Sequence, residues 1–203
     1  MTKDSNAEAF DTIVAQFKAE DQNQAFEFEA VAPKAPEKAD SEIDAEGFKK
    51  AWTELKDTHE FFMMTRKFGV TRTQALRLAP EGYAKKIDTS KVVNILEDAA
   101  EKNLPIMIFV GNRGIIQIHT GEVKKTLWHQ QWFNVMDPDF NLHLDVTKIA
   151  EAWIVKKPTE DGEVTAIEVF NKEGDFIVQF FGKRKPGIPE LQEWKDLVAD
   201  LEK

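Results

Sequence analysis

The chain contains no cysteine, which removes disulfides, thiolate nucleophiles and thiolate-bound zinc or iron–sulfur centres. Histidine is scarce. The four present, at 59, 119, 129 and 143, are too widely spaced to form a local cluster of metal ligands. The sequence carries no P-loop, no GxGxxG following a strand pattern, no GxSxG and no HExxH, so no motif names an enzyme. Long apolar runs are also missing. None approaches the roughly 20 residues that a membrane-spanning helix needs. The opening residues, Met1 to Asn6, lead into a charged segment without the apolar stretch of a signal peptide. The expectation is a chain that works in the cytoplasm and does not insert stably into a membrane.

Positive charge is in short supply as well. The net charge is −9 over 203 residues. Residues 1–47 hold 12 Asp and Glu against 4 Lys, and the remainder is nearly balanced at 24 acids against 23 Lys and Arg. Nucleic-acid binding needs a broad basic surface, so no nucleic-acid partner is expected. A small basic pocket for an acidic ligand is compatible with this balance.

What is present divides the chain. Residues 7–19 read as a short amphipathic helix, with Phe10, Ile13, Val14 and Phe17 on one face. From Glu20 to Asp44 periodicity is lost among prolines, alanines and charges, as in a linker. Residues 45–103 have helical spacing. Phe48, Trp52, Leu55, His59, Phe62 and Arg66 recur at intervals of three and four, as one stripe or as two helices broken near Asp57-Thr58. Thr71-Arg-Thr-Gln74 and Asp88-Thr-Ser90 read as further helix starts. After Pro105 the pattern turns to strands. Ile106–Val110 and Gly114–His119 flank a Gly-Asn-Arg-Gly turn, and three alternating or apolar runs follow at 149–155, 164–170 and 176–181. A closing helix begins near Pro189. Short connections favour antiparallel pairing. The fold class is therefore α+β: a large antiparallel sheet, N-terminal helices packed on it and a C-terminal helix.

Two features carry candidate chemistry. His59 lies in register with an apolar stripe, so on the residues alone it reads first as a buried structural histidine and second as a metal ligand. His143 alternates with Phe140, Leu142 and Leu144 and belongs to a polar sheet face; His119 and His129 fall near turns. The second feature is cationic. Lys183-Arg184-Lys185 and Lys156-Lys157 end strands, and Arg72 opens a helix. One histidine, aromatic residues such as Phe109 and cations for two carboxylates would together suit haem.

Several ordered segments go further. Asp57-Thr-His-Glu-Phe-Phe62, Val70-Thr-Arg-Thr-Gln-Ala-Leu76, Pro105–Gly114, Gln117–Gly121, Asp137–Leu144, Val155–Thr159 and Gln179–Gly187 resemble the HemS/ChuS/HmuS family of haem-utilisation, or haemin-degrading, proteins. The resemblance runs from about residue 45 to the C-terminus and is to the second of two similar halves. It implies a tail of a first repeat with an acidic linker over 1–43 and a haem-binding domain over 44–203. It further implies haem b as ligand or substrate, with His59 as proximal iron ligand. Arg72, Phe109, Lys157, Gln179, Phe181 and Arg184 would complete the pocket. In this reading Arg72, Lys157 and Arg184 face propionates or the haem edge, and Phe109 packs on the ring. No catalytic residue is implied.

Two departures accompany the resemblance. Position 181 is Phe where some relatives have Tyr, and the distal arginine of the family comes from the first half. The expected function is haem binding and trafficking for iron acquisition. The alternatives are haem breakdown, or a haem-incompetent half that pairs through its sheet. Single-repeat relatives pair, so a homodimer is the expected assembly.

Overall fold

The computed structural model describes residues 3–23, 30, 32–112, 114–185 and 187–202. Arg113 of the expected hairpin turn, Pro186 and residues 24–29 and 31 of the expected linker lie outside the described residues. The chain forms two compact units, 1–36 and 37–203. The first contains helix α1 (Ala7–Phe17), capped by the Asn6 side chain and with no buried residue.

The second unit contains five α-helices, two short 3-10 turns and nine strands among its described residues. The α-helices and strands are α2 (Ala45–Thr53), α3 (Glu60–Phe68), α4 (Arg72–Arg77), β1 (Ala84–Ile87), α5 (Lys91–Glu101), β2 (Ile106–Gly111), β3 (Ile116–Gly121), β4 (Thr126–His129), β5 (Trp132–Met136), β6 (Asn141–Asp145), β7 (Glu151–Thr159), β8 (Gly162–Phe170), β9 (Phe176–Gly182) and α6 (Gln192–Leu201). Six strands form an antiparallel sheet in the order β1-β7-β8-β9-β2-β3, and β4-β5-β6 form a second, smaller one. The fold is α+β, as expected. Residues 37–43 pack within the second unit: Ile43 is buried, and the Lys38 carbonyl and Asp40 carboxylate both accept from the Gln74 amide.

Strand composition tells which sheet faces are covered. In β7 the run Ala152-Trp-Ile-Val155 is wholly buried, and in β8 so is Val164–Phe170. Continuous burial means that both faces are packed. On one face Ala152, Ile154, Ile167, Val169, Val178 and Phe180 meet α5, α6 and the inner side of the small sheet. On the other, Trp153, Val155 and Phe170 meet Phe48, Trp52, Phe61 and Leu76 of α2–α4. β2 and β9 instead alternate: Ile106, Ile108, Val178 and Phe180 are buried, while Met107, Phe109, Gln179 and Phe181 are only half-buried. Helices α2–α4 thus cover the β7–β8 half of their sheet face and leave the β9-β2-β3 half open.

Close packing on the other face has its own signature. A Cβ at Gly182 would lie 2.6 Å from Cγ of Trp194. That indole is fully buried and donates from Nε1 to the Thr165 carbonyl at 2.9 Å. Gly182→Ala should therefore destabilise the fold by about 1–3 kcal/mol, the usual cost of overpacking, measurable as a lower urea midpoint.

Candidate functional site

The break between α2 and α3 decides where His59 goes. After Leu55, the backbone N–H groups of Lys56 and Asp57 donate to the Glu60 carboxylate at 2.8 and 3.2 Å. The His59 N–H donates to Asp57 Oδ1 at 2.7 Å. These carboxylates satisfy backbone N–H groups of the turn between the two helices, which neither helix bonds itself. The interruption also shifts the helical phase by one residue. Phe48, Trp52 and Leu55 of the expected stripe are buried, but it continues through Phe61 and Met64 and not through His59 and Phe62. Phe61 is 1% exposed and Phe62 is 61% exposed. The first reading of His59, as a buried structural residue, is therefore overturned. Its side chain is 94% exposed at the N-terminus of α3.

The His59 ring is held despite this exposure. Its Nδ1 lies 2.5 Å from Asp57 Oδ1. The Asp57 carboxyl is held below its ordinary range by the His59 backbone N–H, and then by the imidazole itself. A carboxylate accepting Nδ1–H fixes the tautomer in which Nε2 carries the lone pair. This is the arrangement that orients metal-binding histidines, and no described residue bonds Nε2.

The half-open sheet face and the start of α3 enclose a cavity of about 630 Å³, within the range of small-molecule and cofactor sites. His59, Arg72, Phe109, Lys157, Gln179, Phe181 and Arg184 all line it. Thus all seven positions singled out in the sequence come together, although they derive from α3, α4, β2, β7, β9 and the segment after β9. The β-register explains part of this convergence: Gln179 pairs with Phe109, and Phe181 with Met107. Phe109 and Phe181 meet edge to face at 5.1 Å. Met107, Ile116, Val164 and Phe176 extend the apolar wall. Arg184 sits half-buried, with no ion-pair partner among the described residues.

Two of the cations are already engaged by a residue the sequence reading missed. Glu168 is fully buried beside the cavity. It accepts from Arg72 Nε at 2.8 Å, from the Arg72 terminal nitrogen, and from Lys157 Nζ at 2.8 Å. Burial alone would raise the Glu168 pKa, but the two cations outweigh it and hold the carboxyl at about 2. Burial pulls the Lys157 ammonium down to about 8, against the attraction of Glu168. A signal was available: Glu168 is the one acid inside the otherwise apolar run Ala166-Ile-Glu-Val-Phe170. A lone charge in a run buried on both faces must be paired. The other histidines stay apart from this cavity. His143 bonds Asn134 at 2.6 Å on the outer face of the small sheet, and His119 stacks on Phe140. No described group of three or more His, Asp or Glu residues could hold a metal ion.

An antiparallel sheet with one half-face open thus carries a cavity with an oriented imidazole at its rim, aromatic walls and three cations. Residues 69–201 match the model of the haemin-degrading HemS.ChuX domain, and the chain belongs to that family. It is 38% identical over 203 residues to the hemin transport protein HemS of Yersinia enterocolitica, covering 99% of this chain and 57% of that protein. Its structure superposes on holo-PhuS, a heme-binding protein from Pseudomonas aeruginosa, with a TM-score of 0.95 at 44% identity. That match covers 98% of this chain and 58% of PhuS. It also matches ChuS, an E. coli heme oxygenase, with a TM-score of 0.86 at 36% identity, again over 98% and 58% of the two chains. The chain thus spans just over half the length of these relatives. No described helix is long and apolar enough to cross a membrane.

Proposed function

We propose that this chain binds haem b in the cavity and carries it in the cytoplasm for haem-iron acquisition, with His59 Nε2 as the proximal iron ligand. The observation that carries the reading is the convergence of an Asp57-oriented imidazole, apolar walls and cations on one cavity. Haem needs those three things: an axial base, a slot that excludes water from the ring, and positive charge for propionates. Phe109, Phe181 and Ile116 supply apolar surface, while Arg72, Lys157, Gln179 and Arg184 supply donors. A homodimer is the assembly we propose, in which a second chain would cover the side of the ligand away from His59. Titration with hemin should give a saturable Soret shift at one equivalent per chain. A featureless sum of free-hemin and protein spectra would sink the reading.

The likeness to a protein described as a heme oxygenase favours one second reading, haem breakdown. There the iron and porphyrin supply the redox chemistry, and the protein's own groups bind and orient. Incubating the hemin complex with a reductant, with and without oxygen, separates the two. A Soret band that persists in both arms marks a carrier; one that decays to an open-chain or iron-free tetrapyrrole marks an enzyme.

A further inference from the structure

The ion cluster under the cavity has a feature that general electrostatic attraction does not need. Arg72 and Lys157 are 19% and 4% exposed, so both are largely withdrawn from water, and a single carboxylate serves both. The Arg72 guanidinium also lies 4.1 Å from the Phe61 ring centre and 5.3 Å from that of Phe176, and the Lys157 ammonium 4.9 Å from Phe61. Bidentate pairing and ring contacts fix the guanidinium plane. After these bonds Arg72 keeps its second terminal nitrogen, and Lys157 keeps two of its three hydrogens. Both side chains line the cavity. Two cations and one carboxylate leave one net positive charge.

We propose that Glu168 is the specificity-determining positioning residue of this cavity: it locks Arg72 and Lys157 into one singly positive receptor for one carboxylate of a planar apolar acid. A second carboxylate on the same ligand is left to the rim, where Arg184 has no ion-pair partner among the described residues. The inference rests on the haem-binding reading only for the identity of the acid. Glu168 itself never needs to touch ligand. It acts by holding donors at fixed positions, so that little ordering remains to be done on binding.

The test uses protoporphyrin IX as diacid, monomethyl ester and dimethyl ester, followed by fluorescence at pH 7. The metal-free ring keeps the iron–His59 bond out of the comparison. The diacid and monoester should bind within about threefold of each other, and the diester about tenfold or more weaker, the worth of a charge-assisted hydrogen-bonded contact. Equal binding of all three, or an equal loss at each esterification, would overturn the proposal.

A variant separates positioning from charge. Glu168→Gln keeps both donors and does not lower the net positive charge of the receptor, but removes the carboxylate that orients them. Positioning by Glu168 predicts that the gap between monoester and diester shrinks to about threefold or less, because an unheld guanidinium loses its bidentate geometry. A variant that folds and keeps the full gap overturns the inference. Hemin titrations run beside these distinguish the two readings. Ester discrimination without a hemin Soret shift removes the iron-ligand assignment and leaves Glu168 in place. A normal Soret shift without ester discrimination does the reverse. Binding of neither probe removes both.

Discussion

Replacing His59 with alanine should abolish the hemin Soret shift or weaken hemin binding by about 100-fold or more, while leaving the thermal midpoint within a degree or two. The two halves of this expectation have separate grounds. The side chain is almost fully exposed, and its ring is bonded only to Asp57 among the described residues, so truncation removes little packing. Surface changes of that kind usually alter stability by less than about 0.5 kcal/mol. The ligand, in contrast, would lose its axial base while keeping only apolar contact and carboxylate pairing. Asp57→Asn provides the graded control. Its amide can still sit beside Nδ1, but as a neutral partner it no longer enforces the same tautomer. Loss of an outer partner of a metal-bound histidine typically costs about 10–100-fold in affinity. The order wild type, Asp57→Asn, His59→Ala in hemin dissociation constants is the expected outcome, read by absorbance titration. A His59→Ala chain that binds hemin with an unchanged spectrum would remove the histidine from the site.

The same residue shows what could and could not be read from the sequence. Strands β7, β8 and β9 were legible because β-branched and aromatic residues fall in runs broken by turn clusters at 158–162 and 172–175. The small sheet was only partly legible. β6 alternates, but β4 and β5 are short, and exposed Trp128 and Trp132 blur their pattern. β1, four residues between two helices, gave no periodic signal at all. The helical stripe through His59 misled for a definite reason. Spacing is continuous across residues 55–59, but the Asp57 and Glu60 side chains take over backbone donors there and reset the phase. The cavity was legible as a set of residues only through motif resemblance, since its seven positions span 126 residues of chain and six structural segments. Glu168 was missed because it carries no ligand-binding pattern of its own. Its importance appears only when the pairing of β7 with β8 sets Lys157 and Glu168 on adjoining strands, with Arg72 reaching in from α4.

Replacing Glu168 with alanine should be the most destabilising single change in the site, by about 3–5 kcal/mol, because it strands two buried cations without their shared anion. Removing Lys157 as well, in Lys157→Met/Glu168→Ala, should recover much of that loss, since a buried pair replaced on both sides leaves no orphaned charge beyond Arg72. Chemical denaturation of the three proteins checks the order. The pH dependence gives a second, independent signature. The Glu168 carboxyl is lowered on folding from 4.5 to about 2, so the stability it contributes is fully present above pH 4.5 and is lost as the pH falls towards 2. Lys157 works in the opposite region. Its folded value of about 8 lies below 10.5, so between those limits the folded chain has released a proton that the unfolded chain still holds. There stability rises with pH, because the cost of burying the ammonium disappears. Wild type should therefore lose stability on the acid side below pH 4.5 and gain between pH 8 and 10.5. Glu168→Ala should show a weaker acid limb. Its alkaline rise should begin at lower pH, because Lys157 no longer has the attraction that held its proton against burial and Arg72. An alkaline limb in the variant that coincides with the wild type would mean that Glu168 does not govern the charge of Lys157, and the three buried charges would then have to be treated as independent of one another.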